Sequence, residues 1–152
     1  KPGIKIIGVQ TKNLPSMVMA LYKNQITSVQ GPATLADGIA VKTPGELTFK
    51  IVKQYVDDIV TVDEDEIASA ILMLLERAKV VSEGAGAVSI AAILNRLDNL
   101  KNKKIVSIIS GGNIDVNMIS RIIDKGLVKS GRKIFVNVLI PDRPGTLASC
   151  LT

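Results

Sequence analysis

Residues 104–115 read KIVSIISGGNID, a β-branched apolar run that ends in a serine, two glycines and polar residues. Isoleucine and valine favour strands, so we predict a buried strand over Lys104–Ile109. The glycines would let the backbone approach a ligand closely, and the Ser110 hydroxyl can form a hydrogen bond. The stretch therefore predicts a strand that leads into a helix. The turn between them is either a ligand-binding turn or a plain tight turn capped by Asn113 or Asp115.

Strand-like and helix-like segments alternate along the rest of the chain. Further strands are predicted at Lys5–Gln10, Asp58–Val62 and Ile134–Ile140. Helices are predicted at Pro15–Lys23, Glu46–Tyr55, Asp63–Lys79, from Glu83 onward, and at Asn117–Val128. Gln30–Pro44, rich in Gly, Ala and Pro, predicts a loop, and Pro141–Gly145 predicts a turn into a helix. The alternation predicts an α/β fold with an open, mostly parallel sheet and flanking helices, in which ligands bind beyond the carboxyl ends of the strands.

The helix predicted over Asp63–Lys79 has the clearest start signal in the chain. Its first turn, Asp63–Glu66, is entirely acidic, and acidic side chains complement the positive end of a helix dipole. Asp63 and Glu66 also have the spacing of a capping box. We therefore expect this helix to begin directly after the strand Asp58–Val62.

Composition excludes several classes of function. The chain has 152 residues and a net charge of +5, with nine basic residues and three acidic ones between Arg96 and Lys133. Nucleic-acid binding is one interpretation of this excess. Aromatic residues make up only 3% of the chain and none is interleaved to stack bases, so we favour a solvated basic face and no nucleic-acid partner.

The absence of histidine and the single cysteine, Cys150, limit the chemistry further. They exclude a Ser–His or Cys–His nucleophile within this chain and a zinc or transition-metal site. One cysteine cannot form an internal disulfide, which indicates a reducing compartment. The sequence shows no signal peptide and no long apolar run, so we predict a cytoplasmic protein without a membrane partner.

Four motifs carry a resemblance to a known family: IIGVQ at 6–10, ADGIAV at 36–41, EGAGAV at 83–88 and SGGNID at 110–115. In order and spacing, residues 1–128 resemble threonine dehydratases and the related serine dehydratases and racemases. The resemblance implies a pyridoxal-phosphate cofactor and the large-domain half of a tryptophan-synthase-β-like fold. The segment that ends in DRPGTL, residues 142–147, resembles the start of an ACT domain, a small amino-acid-binding regulatory module.

The resemblance also implies roles for individual residues in cofactor binding. Ser110 matches the serine that hydrogen-bonds the pyridine nitrogen of the cofactor. Glu83 matches a glutamate close to the cofactor, although a carboxylate at a helix N-terminus would also explain it. Gly38 matches a glycine whose backbone lies against the cofactor, although turn geometry alone would also explain it. Gly111 and Asn113 would line the same turn as Ser110.

Two departures from the family pattern shape our expectations. Metal-binding relatives carry a glutamate where this chain has Gln10, and a neutral amide near Lys12 is a poor ligand for Mg²⁺, so we predict no metal. The family's Schiff-base lysine lies in a serine–x–lysine motif that this sequence lacks, and Lys42 has no counterpart in that role. We therefore expect no catalytic residue within this chain, a start just after the family's glycine run, and no activity of the chain alone.

These observations predict three segments: residues 1–128 as the C-terminal part of the catalytic domain, 129–133 as a linker and 134–152 as the start of an ACT-like domain. The predicted function is that of a fragment of threonine dehydratase (threonine ammonia-lyase), a lyase of isoleucine biosynthesis. Its substrate is L-threonine, with L-serine as the alternative, and its products are 2-oxobutanoate and ammonia. We also expect an amino-acid effector of the ACT-like segment, and self-association into a homo-oligomer. An amino-acid-binding regulatory module and a non-catalytic interaction fragment remain alternative functions.

Overall fold

The structure, a computed structural model, describes residues 3–98 and 100–151. Within them lie strands β1 (Ile7–Thr11) and β2 (Asp58–Val62), helices α1 (Ser16–Lys23), α2 (Glu46–Tyr55), α3 (Glu64–Met73), α4 (Gly84–Asn95), α5 (Val116–Lys129) and α6 (Thr146–Leu151), a 3₁₀ turn (Asp37–Ile39) and a π-helical turn (Leu74–Ala78). No helix among these residues is both long enough and apolar enough to span a bilayer.

Strands β1 and β2 form a parallel pair. Their register runs from Ile7 beside Asp58 to Thr11 beside Val62. Both carboxyl-terminal residues, Thr11 and Val62, are fully buried. The parallel pairing and the flanking helices confirm the predicted α/β class, and the strands end at the same edge, where ligands of such sheets bind.

Helix α3 begins with the predicted capping box. The Asp63 carboxylate accepts hydrogen bonds from the backbone N–H groups of Asp65 and Glu66, and the Glu66 carboxylate accepts one from the N–H of Asp63. The α-helix ends at Met73, and the π-helical turn continues the helical path before Lys79 stops it at φ 58°. The predicted helical extent is therefore confirmed, but its last turn is wider than that of an α-helix.

The core lies where α3 packs against α4 and α5, and where α4 packs against strands β1 and β2. Its residues include Val62, Ile67, Ala68, Ile71, Leu74, Ala87, Val88, Ala91 and Ile122. Small residues allow the helices to approach closely: a Cβ on Gly126 of α5 would lie 2.7 Å from Cδ2 of Leu72 on α3. The close helix contacts fix the position of α4 relative to the sheet.

The strands predicted at Lys104–Ile109 and Ile134–Ile140 are wrong. The structure assigns no regular secondary structure to either segment. A β-branched run becomes a strand only when a neighbouring segment pairs with its peptide groups, and no part of residues 3–98 or 100–151 does so for these two. Residues 107 and 108 instead lie along α4, where Ser107 Oγ donates to Ser89 Oγ at 2.8 Å and Ser89 Oγ donates to the carbonyl of Ile108 at 2.9 Å.

Candidate functional site

The predicted site residues gather at the N-terminus of α4. Glu83 is the N-cap residue of this helix, with extended backbone angles (φ −70°, ψ 167°), yet its side chain makes no capping hydrogen bond. Its backbone N–H donates to the carbonyl of Gly111 at 3.0 Å. This bond ties the turn after residue 109 to the start of α4, and the Glu83 carboxylate is left to face that turn.

Gly111 is where the turn touches the Glu83 side chain. A Cβ built on Gly111 would lie 2.5 Å from the carboxyl carbon of Glu83 and 2.9 Å from Oε2. A Cβ on Gly86, in the first turn of α4, would lie 3.0 Å from the backbone nitrogen of Gly111. Glycine at both positions therefore leaves the space in which the turn, the helix and the carboxylate meet.

Gly38 also lies close to this carboxylate. It lies in the 3₁₀ turn Asp37–Ile39, and a Cβ on it would lie 3.6 Å from Oε1 of Glu83 and 3.1 Å from Cβ of Ala85. The structure thus brings together three predicted residues, Gly38, Glu83 and Gly111, that are far apart in sequence. We call this arrangement the Glu83 cluster.

Ser110 and Asn113 flank the Glu83 cluster with exposed side chains. Among the residues that the structure describes, neither side chain has a hydrogen-bond partner. The capping role that Asn113 or Asp115 could have taken belongs to Asp115, whose carboxylate accepts from the N–H groups of Asn117 and Met118 at the start of α5. The Ser110 hydroxyl is therefore not needed to hold the turn and is available to a ligand.

Residues 1–111 match the family described as "Pyridoxal-phosphate dependent enzyme". The chain belongs to this family.

Several members of this pyridoxal-phosphate dependent family are similar to the chain in sequence or structure. The L-threonine ammonia-lyase of Thermotoga maritima is 63% identical over 150 residues, which cover 99% of this chain and 37% of that protein. The catabolic L-threonine dehydratase of Escherichia coli strain K12 is 50% identical over 123 residues, 80% of this chain and 37% of that protein. The processed form of threonine deaminase isoform 2 from Solanum lycopersicum superposes with a TM-score of 0.75 at 31% identity, covering 84% of this chain and 36% of that one. The chain thus spans 37% of the length of these two curated relatives.

The Glu83 cluster fits one side of a pyridoxal-phosphate site. Gly38 is exposed and has no side chain, so a flat ring can approach its backbone closely, whereas glycine at position 111 leaves room for the Glu83 carboxylate. The unpaired Ser110 hydroxyl can donate one hydrogen bond to a ring nitrogen. Beside Gly38, an open, mostly apolar cavity of about 300 Å³ extends between the sheet, α1 and α2.

Gln10, which we predicted to be a poor metal ligand, has a structural role. Its Oε1 accepts hydrogen bonds from the backbone N–H groups of Met17 and Val18, both at 3.0 Å. It therefore caps α1 from the end of β1, since the N-cap residue Pro15 supplies no side-chain cap. Within the described ranges no three carboxylate or thiol groups cluster as a metal site would require. The absence of a metal stays a prediction.

Sequence reasoning missed a second polar group beside the cluster. The sequence predicts Glu64 only as an acidic residue in the first turn of its helix. In the structure its carboxylate binds Thr34 and the backbone of Leu35, in the loop that leads to Gly38. The sequence offered one weak signal, Thr11 at the carboxyl end of β1, where polar residues of parallel sheets often serve a site.

Proposed function

We propose that this chain supplies one side of the pyridoxal-phosphate site of an enzyme that converts L-threonine into 2-oxobutanoate and ammonia. The observation that carries the proposal is the 63% identity to the L-threonine ammonia-lyase of Thermotoga maritima across 99% of the chain. The close approach of Gly38 and Gly111 to the Glu83 carboxylate supports it, because it brings residues of three family motifs together beside the unpaired hydroxyl of Ser110.

Each residue of the site has a distinct role in this proposal. Ser110 donates a hydrogen bond from its hydroxyl to the pyridine nitrogen of the cofactor, Gly38 leaves room for the ring, and Gly111 leaves room for the Glu83 carboxylate. Glu83 holds its carboxylate beside the ring and within the cofactor's hydrogen-bond network, and Asn113 lines the turn. When bound, the cofactor supplies the electron-withdrawing ring that makes the substrate Cα–H acidic.

A serine partner for the ring nitrogen suits a β-elimination. A neutral hydroxyl leaves that nitrogen uncharged, whereas an aspartate would keep it protonated and make the ring a stronger electron acceptor. In β-elimination the departing β-hydroxyl group takes up the electrons, so a weaker acceptor is sufficient. None of the described residues of this chain is assigned the proton transfer at Cα.

We also propose the division of the chain into residues 1–128, 129–133 and 134–152. The family match ends at residue 111, and the Escherichia coli dehydratase matches only 80% of the chain, whereas the Thermotoga maritima relative matches 99%. A C-terminal segment present in only some relatives would produce this difference. We assign it to an ACT-like regulatory domain with an amino-acid effector.

Further proposals concern assembly and cellular role. Ile105, Val106 and Ile108 are between 45% and 92% exposed, and so much exposed apolar surface favours packing against other protein, which supports a homo-oligomer. The single cysteine supports a cytoplasmic location, and we propose isoleucine biosynthesis as the role of the reaction.

Replacing the matching 37% of the Thermotoga maritima relative by this chain tests the proposal, since the rest of that relative completes the protein. We call the product the joined enzyme, and the unaltered relative is its control. With pyridoxal phosphate and L-threonine, the joined enzyme should release 2-oxobutanoate, and L-serine should be the poorer substrate. An enzyme that binds the cofactor but deaminates only L-serine would contradict the substrate assignment. Amino-acid binding by this chain alone, with an inactive joined enzyme, would support the regulatory-module alternative.

A further inference from the structure

The carboxylate of Glu64, the first residue of α3, holds the loop that precedes the 3₁₀ turn. Its Oε1 accepts from the Thr34 hydroxyl at 2.6 Å, and its Oε2 accepts from the backbone N–H of Leu35 at 2.6 Å. Hydrogen bonds to a charged acceptor are stronger than those between neutral groups. Both oxygens of Glu64 are therefore engaged by the same loop.

The end of β1 holds this loop from its other side. Thr11 Oγ1, in a fully buried residue, lies 3.0 Å from Thr34 Oγ1 and 3.3 Å from Glu64 Oε1. The amide of Asn13 donates to the carbonyl of Ala33 at 2.8 Å. Residues 33–35 are thus fixed to both the strand and the start of α3.

The loop formed by residues 33–35 lies in close contact with Gly84, the first residue of α4. A Cβ on Gly84 would overlap the carbonyl of Leu35 and lie 2.8 Å from the backbone nitrogen of Ala36. Ala36 is fully buried, so the peptide between Leu35 and Ala36 has no space to withdraw. The position of this peptide therefore determines where α4 begins, and Glu83 is the residue before that start.

We infer that Glu64 is a positioning residue, which sets the place of Glu83 and Gly38 through the loop and the N-terminus of α4. The hydrogen bonds of Glu64 go to Thr11, Thr34 and Leu35, and not to a residue of the Glu83 cluster. Its importance for catalysis rests on the proposed function, because only that function requires the Glu83 cluster. The effect of Glu64 on the position of Glu83 does not depend on the proposed function.

Substitutions at Glu64 separate a hydrogen-bonding role from a role of its charge. Glutamine keeps one oxygen for the N–H of Leu35 and can donate its amide to Thr34 Oγ1, whereas alanine keeps neither bond. Glu46 offers a matched control, because it is an exposed glutamate at the first position of α2. Glu46→Ala removes the same favourable charge from a helix N-terminus without touching the loop.

Residue-resolved amide hydrogen exchange of the 152-residue chain tests the inference without cofactor or substrate. In Glu64→Ala, protection of the Leu35 amide should fall about tenfold to a hundredfold, and that of the Glu83 amide, bonded to Gly111, should fall with it. The amide of Ile122, in the core of α5, reports global unfolding and normalises both values. Glu46→Ala should stay close to the wild type, and Glu64→Gln should lie between the wild type and Glu64→Ala, because its hydrogen bonds remain but lose the charged acceptor.

Two results would overturn the inference. One is that the Leu35 amide loses protection in Glu64→Ala while the Glu83 amide keeps it, because the loop would then not determine the position of the N-terminus of α4. The other is a glutamine variant that exchanges as fast as the alanine variant, because charge rather than hydrogen bonding would then be responsible. An inactive joined enzyme contradicts the proposed function but leaves these exchange results unaffected, so the two failures are distinguishable.

Discussion

Replacing Gly111 by alanine should displace the Glu83 carboxylate and leave the fold intact. The added Cβ would lie 2.5 Å from the carboxyl carbon of Glu83. Carbon atoms pack at about 3.5–4.0 Å, so the carboxyl group has to move by about 1 Å or more. The group that moves is the end of a flexible side chain, and Gly111 does not have the left-handed φ that would strain an alanine.

The cost of this displacement should appear in catalysis more than in stability. Turning a side chain away from its preferred rotamer costs about 0.5–1.5 kcal/mol, which corresponds to a fall in Tm of about 1–6 °C for a chain of this size. A misplacement of about 1 Å in a site can cost about a hundredfold in rate. We therefore expect kcat/KM of the joined enzyme for L-threonine to fall by about two orders of magnitude.

Gly84→Ala is the matched comparison, since its Cβ would meet backbone rather than the end of a side chain. Overpacking of this kind costs about 1–3 kcal/mol, or about 2–12 °C in Tm, partly offset because alanine favours a helix more than glycine does. Steady-state kinetics and thermal melts of both variants give the test. A Gly111→Ala enzyme with unchanged kcat/KM, or with a Tm that falls by clearly more than about 6 °C, would refute the assignment of Gly111 to the site.

Three further predictions concern a helix cap, an ion pair and the metal. Asp63→Ala removes the cap of α3 and should lower the free energy of unfolding by about 0.5–2 kcal/mol, which thermal melts can measure. An unchanged Tm would show that the hydrogen bond from the Asp63 N–H to the Glu66 carboxylate is sufficient to cap the helix. The hydrogen bond from Arg132 lowers the pKa of Glu76 below 4.5. The pair therefore stabilises the fold above about pH 4.5, and this stability is lost as the pH falls through the lowered pKa. At neutral pH the wild type should have a higher Tm than Glu76→Gln, and in acid this difference in Tm should disappear. A difference in Tm that does not change with pH would contradict the ion pair. EDTA should leave the joined enzyme fully active because Gln10 is engaged in capping α1, and a loss of activity restored by Mg²⁺ would show the opposite.

Elements with a complete local signal were predictable from the sequence. Glu46–Tyr55 and Asp58–Val62 have the predicted bounds, because the apolar spacing of each segment identifies its type. The capping box at Asp63 is a pattern of neighbouring residues and forms as predicted. The apolar runs at 104–109 and 134–140 failed as strands, because a strand also needs a partner that the run itself does not specify.

The candidate site shows the same division between local and long-range information. Motifs shared with the family pointed to Gly38, Glu83 and Gly111, and the structure brings these residues together. The role of Glu64 was not predictable, because its partners Thr34 and Leu35 lie 30 and 29 residues away and only the folded chain brings them to it. An acidic residue in the first turn of a helix already has a sufficient local explanation.

The proposed function depends most directly on Ser110, through which the turn after residue 109 is proposed to bind the cofactor. A crystal structure of the joined enzyme with pyridoxal phosphate measures this directly, as the distance from Ser110 Oγ to the pyridine nitrogen. A direct hydrogen bond gives about 2.7–3.2 Å, and that is the distance we predict, with Gly38 against the ring and Glu83 beside it. A pyridine nitrogen bound by another side chain, with the Ser110 hydroxyl turned toward solvent, would contradict the account.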